Sequence, residues 1–539
     1  MGNYLVGMVV ECRNHLSILV AYMKIYANYI SLLCAIILYA ALCIALHPML
    51  GYLLDSDGVA YLTIAKRVAD GEYIQSINGL WSPLNSWLLV PFIQHGMDAW
   101  LVAKLMNVCL GAIVITLTFL LFQRFNLTQK SQAALLLALA IVMVHNVYLQ
   151  VFGDILQLIF LLSYLLILWS DRFASSYWKA ILCALMMGIG FYAKAYSLAF
   201  FLVHFAMTLY WYYKKQEIEL KRAITLYGIG VITIILTIAP WTFELHKKYG
   251  DWSMTGHAGK LNMSWQINSG KTFREDIKLL IPPTYNDSPS FWEDPYPSQQ
   301  HLSTPMSSPS HFIKWIARII HTVLMAIGCM NDISSLAIAI LLISFVYFFF
   351  RKKQTPIDDR ECQLQLLIIT ALTIPLGYLM MHIETRYIWI NSMLTMILGA
   401  ILLEKATARF TPLLSWSALL VLASSFIVFP ILDIKNLAYK NKDLFTCSDA
   451  LKNNHIQGSF TSNGVDAGRM WVVAYLTKNT FYTIERSDYS MEELISEMKR
   501  YKVQYYLFQS ENNKPDIRLT NDSFNFIMKG DGYDIYSLK

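Results

Sequence analysis

Charge is what this sequence has least of. Asp, Glu, Lys and Arg make up 15% of its 539 residues, against 56% hydrophobic ones. That is too little charge for a soluble enzyme of this size. Paired cysteine is missing too. Cys12, Cys34, Cys43, Cys109, Cys183, Cys329, Cys362 and Cys447 are scattered. None pair at metal-ligand spacing, and Cys447 stands alone in the C-terminal region, which excludes an internal disulfide there. That region also lacks a glycine-rich phosphate fingerprint and is assigned no cofactor. No cleavable signal is expected. Residues 4–22 are apolar but broken by Glu11, Arg13 and His15, and no small-residue cleavage site follows. Val6 stands where a myristoylation motif needs Ser or Thr.

What the chain has instead is long apolar runs. They fall at 30–46, 101–122, 133–150, 155–170, 178–193, 196–213, 223–243, 333–350, 364–381, 388–403 and 412–430. Most approach the twenty residues that cross a bilayer. The expectation is an α-helical polytopic membrane protein with about eleven transmembrane helices. Basic residues concentrate in alternate connections: Arg13 and Lys24, Arg124 and Lys130, Arg172 and Lys179, Lys214 to Arg222, Arg351 to Arg360, and Lys405 with Arg409. Eleven spans and a cytoplasmic N-terminus put all of them inside. This requires residues 312–329, with Lys314, Arg318 and His321 at helical spacing, to be an amphipathic helix on the outer surface. As a twelfth span they would carry Arg351–Lys353 outside. The chain then divides into a transmembrane module, 1–435, with outer loops 47–100 and 244–332, and an extracytoplasmic α/β domain, 436–539. Cys447 would be reachable from outside and Cys362 from inside.

In the C-terminal domain, 446–454 reads as a helix and 459–463 as strand and turn. Residues 481–484, 503–508 and 533–538 read as strands, and Ser490 with Glu493 forms a capping box that opens a helix over 491–501. In the second outer loop, SFWEDPYPS (290–298) is dense in turn signals.

The chemistry gathers at one depth. Asp55 and Asp57 follow the first span, and Val59, Leu62, Ala65 and Val68 give 58–69 the pattern of a short helix with one apolar face on the membrane surface. By itself the pair is a solvated turn in which Asp57 caps that helix. Other polar groups stand at the outer ends of the spans: Asp154 and Gln157, Lys194, Glu384, Arg386 and Tyr387, and Asn107, His145 and Asn146. Ionisable groups at the edge of apolar spans are costly and mark function, although Lys194 snorkelling and a Glu384–Arg386 structural pair would each explain one of them.

These residues resemble the GT-C glycosyltransferases, which use polyprenyl-phosphate sugars, and are similar to the protein O-mannosyltransferases and the lipid A aminoarabinose transferases. The resemblance runs over most of the chain. It takes in Asp55, Asp57 and Tyr61, the segment Trp81-Ser82-Pro83-Leu84, and Asp154 and Lys194. It ends with Pro240, Trp241, Tyr249 and Gly250, then Glu384-x-Arg386-Tyr387. One departure is the Asp-Ser-Asp spacing, where the mannosyltransferases have adjacent Asp-Glu. The resemblance implies transfer of a sugar from a polyprenyl-phosphate donor to a glycolipid, cell-envelope glycan or protein acceptor. It implies a bacterial inner (plasma) membrane location with the site facing the periplasm. Asp55 would be the general base, and Asp57 and Asp154 would orient hydroxyls. Lys194 and Arg386, the latter held by Glu384, would stabilise the departing phosphate, with Tyr61 and Tyr387 beside donor and sugar. With two cations on hand no cofactor is required. Asp55, Asp57 and Asp154 would also be the ligands if a divalent cation, Mg²⁺ or Mn²⁺, is bound as in the related oligosaccharyltransferases. Two other classes stand beside this one. A transporter or flippase of lipid-linked sugars would favour internal repeats and mid-membrane charges, and a non-catalytic membrane sensor would leave the charged edge idle.

Overall fold

The computed structural model describes residues 28–149, 153–250, 252–253, 257–267, 279–295, 302–350, 359–463, 467–485, 488–509, 523–529 and 533–539. Arg13, Lys24, Arg351, Lys352, Lys353, residues 296–298, and the side chains of Arg360 and Cys362 lie outside that description.

The chain begins with α1 (Asn28–Leu50), followed by a layer of short helices: α2 (Ser56–Ala69), α3 (Tyr73–Ser76) and α4 (Leu84–Gln94). Six helices joined by short connections come next: α5 (Ala99–Arg124), α6 (Gln129–Leu149), α7 (Asp154–Leu168), α8 (Tyr177–Ala193), α9 (Tyr196–Lys214) and α10 (Leu220–Tyr249). The second long loop contains α11 (Ala258–Ile267) and β1 (Leu280–Ile281). Then follow α12 (Pro309–Ile333), α13 (Ala337–Phe350), α14 (Asp359–Leu379), α15 (Ile390–Thr407) and α16 (Pro412–Leu437). Each of the eleven expected spans overlaps one of these helices. Seven described helices are long and apolar enough to cross a membrane, and four more are shorter and apolar. The chain is an integral membrane protein.

Local chemistry sets the helix ends. Asp98 caps α5 by accepting from Leu101 N (2.8 Å), and Thr411 caps α16 ahead of Pro412. Gly250, at φ +81°, takes the left-handed turn that ends α10.

Contacts fix which ends lie together. At one end, Lys104 near the start of α5 donates to Leu53 O (2.9 Å) after α1 and to Tyr148 O (3.0 Å) at the end of α6. Lys194, after α8, pairs with Asp154 at the start of α7. Arg386, between α14 and α15, reaches Asp57. At the other end, Arg124 pairs with Asp171 (2.7 Å), and Glu404 accepts from Thr128 N (2.9 Å) and Ser131 Oγ (2.7 Å). The first end is called the site end below.

Helix α12 has the length and composition of a span. Its contacts place it otherwise. Trp315 near its start donates to Met380 O (2.9 Å), and Asp332 near its end accepts from Thr385 Oγ1 (2.8 Å). Both partners belong to the segment joining α14 to α15, so both ends of α12 lie against the site end. Apolar residues on it, such as Ile313, Ile320 and Leu324, are left exposed.

The C-terminal region contains α17 (Lys442–Asn453), β2 (Ser459–Ser462), α18 (Ala467–Thr477), β3 (Thr480–Phe481), β4 (Thr483–Ile484), α19 (Met491–Tyr501), β5 (Tyr505–Gln509), β6 (Phe524–Lys529) and β7 (Tyr533–Leu538). Five strands form a mixed sheet in the order β3-β2-β5-β7-β6, parallel at β3-β2-β5 and antiparallel beyond. Ser490 Oγ caps α19 by accepting from Glu493 N (3.1 Å). The stretch expected as one strand at 481–484 is divided. β3 joins the sheet, while β4 pairs antiparallel with β1 of the second loop, Leu280 opposite Ile484.

Helix α2 departs from expectation. It does not lie on the surface with one wet face; Gly58 to Ala65 and Arg67 are all buried. Val59, Leu62 and Ala65 share one cluster with Leu89 and Val102 below and with Phe291, Leu444 and Trp471 above. Burying each such aliphatic side chain is worth roughly 1.5–3 kcal/mol. α2 is therefore the joint between the bundle and the C-terminal domain.

Candidate active site

A cavity of about 360 Å³ opens at the site end. Two carboxylates, Asp57 in the first turn of α2 and Asp154 at the start of α7, and two cations, Lys194 and Arg386, line it. Its walls are aromatic: Tyr61 and Trp81 on one side, Tyr196, Tyr378 and Tyr387 on the other. Small residues, Ala195, Ala199, Ala258 and Gly259, leave the room.

Each charged group is positioned. Asp57 Oδ1 accepts from the Trp292 indole (3.0 Å), and Oδ2 lies 3.7 Å from Arg386 Nη2. Arg386 Nε lies 2.7 Å from Glu384 Oε2, and Nη1 lies 4.0 Å from Asp154 Oδ2. Glu384 also accepts from Tyr387 OH (3.3 Å) and meets His382 Nε2 (3.1 Å). Lys194 Nζ sits 3.6 Å from the centre of the Tyr387 ring while paired with Asp154. Gly153 allows that pairing: a Cβ there would stand 2.2 Å from Ala193 O, so only glycine lets α7 start this close to the Lys194 turn.

The electrostatics follow from burial. Burial lifts Asp57 above the ordinary carboxylate range, and Arg386 and the Trp292 N–H pull it part of the way back. Burial lowers Lys194, against the opposing pull of Asp154. Burial pushes Glu384 upward, but His382 and Arg386 more than reverse this and hold it at about 2. Glu384 is thus a fixed anion that keeps the guanidinium oriented.

The same architecture is found in ArnT of Cupriavidus metallidurans bound to undecaprenyl phosphate. The match covers 93% of this chain and 97% of that one, at a TM-score of 0.55 and 11% identity. It is also found in the apo oligosaccharyltransferase of Archaeoglobus fulgidus, over 90% of this chain and 70% of that one, at a TM-score of 0.56 and 9% identity. This is the fold that the resemblance to the GT-C glycosyltransferases implies. No family model matches the sequence, and no curated protein matches it.

Within this bundle the expected site residues separate. Asp57, Asp154, Lys194, Arg386, Tyr387 and Tyr61 meet around one cavity, with Glu384 behind Arg386. Asp55 does not join them. Its Oδ1 accepts from Gly58 N (2.9 Å), so Asp55, not Asp57, caps α2. It faces a second cavity with Leu54, Lys440, Asn441 and Arg469. The carboxylate that lines the first cavity is therefore Asp57, and not Asp55, the residue expected as general base. Nor do Asp55, Asp57 and Asp154 form a metal-ligand set: among the described residues no three His, Cys, Asp or Glu side chains cluster closely enough to hold an ion.

The remaining polar groups have structural partners. Gln157 donates to Ser197 Oγ (3.3 Å), Asn107 to Val147 O (3.4 Å), and His145 bridges Asn146 (3.1 Å) and Asp433 (2.8 Å). Sequence reasoning missed Trp292 and Lys104. Trp292 sits within a run read only as turns. Lys104 had a signal, a lysine inside an apolar run, that went unused.

Proposed function

We propose that this protein is a membrane glycosyltransferase that moves a sugar from a polyprenyl-phosphate donor to an acceptor hydroxyl outside the cytoplasm, in the plasma (inner) membrane with the site facing the periplasm. The observation that carries the reading is the gathering of two carboxylates, Asp57 and Asp154, with two cations, Lys194 and Arg386, around one aromatic cavity at the site end of the bundle. The likeness to ArnT bound to undecaprenyl phosphate supports a lipid-phosphate donor.

The chemistry is a single displacement. The acceptor oxygen forms a bond to the anomeric carbon, its proton passes to Asp57, and the anomeric carbon–oxygen bond to phosphate breaks. The electron pair leaves with the polyprenyl phosphate. Lys194 and Arg386 stabilise that charge, fixed in place before the reaction by Asp154 and Glu384. Tyr61 and Trp81, packed on each other with ring centres 5.5 Å apart, form one wall beside the sugar's position. Asp57 is a stronger base than an exposed carboxylate because burial favours its protonated form.

The test is transfer of labelled pentoses and hexoses from undecaprenyl phosphate to an envelope extract, with donor binding measured in parallel. Asp57→Asn should bind undecaprenyl phosphate and transfer about 10²–10⁴-fold more slowly. Full activity in that variant, or no transfer by the wild type across the donor panel, rejects the reading.

A further inference from the structure

Trp292 comes from the second long loop, far in sequence from the α1–α2 turn, yet its indole N–H ends on Asp57 Oδ1. The ring has no freedom to turn. Trp265 stacks on it at 5.2 Å and 24°, and Trp471 of α18 stacks on it at 5.2 Å and 22°. Its own carbonyl accepts from Trp81 Nε1 (3.1 Å).

The two residues that follow it are anchored as firmly. Glu293 is buried and chelated by Arg67 of α2, which also holds Asp287 (3.0 Å). Asp294 is buried against Lys248 (2.8 Å) and Tyr249 OH (2.8 Å) of α10. These two buried ion pairs on consecutive residues anchor the backbone that presents the indole.

We propose that Trp292 is a positioning residue for the catalytic base: its N–H occupies Oδ1 of Asp57 and thereby assigns the acceptor's proton to Oδ2, the oxygen that faces Arg386. This rests on the reading of Asp57 as the base. The N–H also favours the ionised carboxylate, since a hydrogen bond to the charged form stabilises it. Other charges act on Asp57 as well. Asp55 lies on its own turn, Asp154 on α7, and Glu384 and Arg386 on the α14–α15 segment, while Lys104 lies near Asp55 and Lys194 near Asp154. The phenols of Tyr61 and Tyr387 complete the surroundings. None of these changes when the indole N–H alone is removed.

Trp292→Phe removes it and keeps an aromatic ring in the stack. The readout does not need transfer. Protonated carboxyls react with dicyclohexylcarbodiimide, so the pH midpoint of Asp57 labelling, read by mass spectrometry of its peptide, reports its ionisation. The midpoint should move up by about one to two pH units in Trp292→Phe, the shift expected for one lost hydrogen bond to a charged group. Undecaprenyl phosphate binding at high pH should be unchanged. In the transfer assay the variant's kcat should fall about 10–100-fold at neutral pH, recover toward wild type as pH rises, and leave KM for the donor nearly constant. An unmoved labelling midpoint overturns the proposal, and so does a rate loss that high pH does not rescue, which marks a packing defect. A moved midpoint in a protein without transfer activity leaves the positioning intact and removes Asp57's role as the base.

Discussion

Arg386 touches Asp57, Asp154 and Glu384 at once. Arg386→Ala should therefore weaken donor binding by about 1.5–3 kcal/mol, the value of a charge-assisted hydrogen bond. Arg386→Lys should restore part of it, because a point charge lacks the planar fork. Titration of undecaprenyl phosphate into the purified variants decides this, and unchanged affinity in Arg386→Ala would mean a purely structural ion cluster. The pH dependence has a definite sign. Transfer needs ionised Asp57, whose folded value is raised. The rate should rise with pH along a limb above the ordinary carboxylate value of about 3.9, and Asp57→Asn should abolish that limb. Asp55 is also raised, by burial and by Asp57. The folded state then holds a proton that the unfolded chain has lost, so stability should fall as pH climbs from about 3.9 to Asp55's raised value. Asp55→Asn, which still caps α2, should reduce the fall of Tm with pH over that window, the remainder coming from Asp57. Much of this residue set was legible because charges at the edges of apolar runs are rare enough to stand out. Which of two aspartates two residues apart faces the cavity was not, since that depends on where α2 starts.

At the scale of elements, helix positions could be read from hydropathy because a bilayer demands long apolar runs. The second loop could not be read that way. Its order comes from pairings with remote partners, Arg67 with Glu293 and Lys248 with Asp294, which leave no periodic trace. Those pairings carry a prediction. Arg67 is 4% exposed and Glu293 2%, so Arg67→Met strands a buried carboxylate. The loss should be about 3–5 kcal/mol, seen as a lower Tm in detergent. Replacing both with Met and Leu should recover most of it. In the C-terminal domain β6 escaped notice, as did α18, which follows too few turn signals to delimit it.

Across the whole molecule, the start of α1 and the C-terminal region lie at opposite ends of the bundle, Asn28 meeting Gln123 while Tyr439 N donates to Met49 O (2.8 Å). Accessibility tests that, although not through Cys447, which at 2% exposed is too deeply buried to label from outside as the sequence had suggested. Asn454→Cys, at the exposed end of α17, and Lys130→Cys, at the exposed start of α6, are better reporters. In intact spheroplasts an impermeant maleimide should reach position 454 and not 130. Labelling of both, or the reverse pattern, would contradict the orientation.

The two-residue pairing of β1 with β4 has a consequence for how this protein can be divided. The cavity's lining comes from residues before 436, which suggests a chain whose last hundred or so residues are an interchangeable module. The seam denies that. β4 aligns the strand next to the loop bearing Trp292, Thr483 bonds the Trp471 indole (3.1 Å), and Trp471 in turn covers Trp292. A chain cut at 436 keeps its lining residues and loses the ring stacked on Trp292 and the strand paired with β1. Grafting a foreign domain in its place should fail unless the strand and the tryptophan travel with it, so the two halves can vary only as a matched pair.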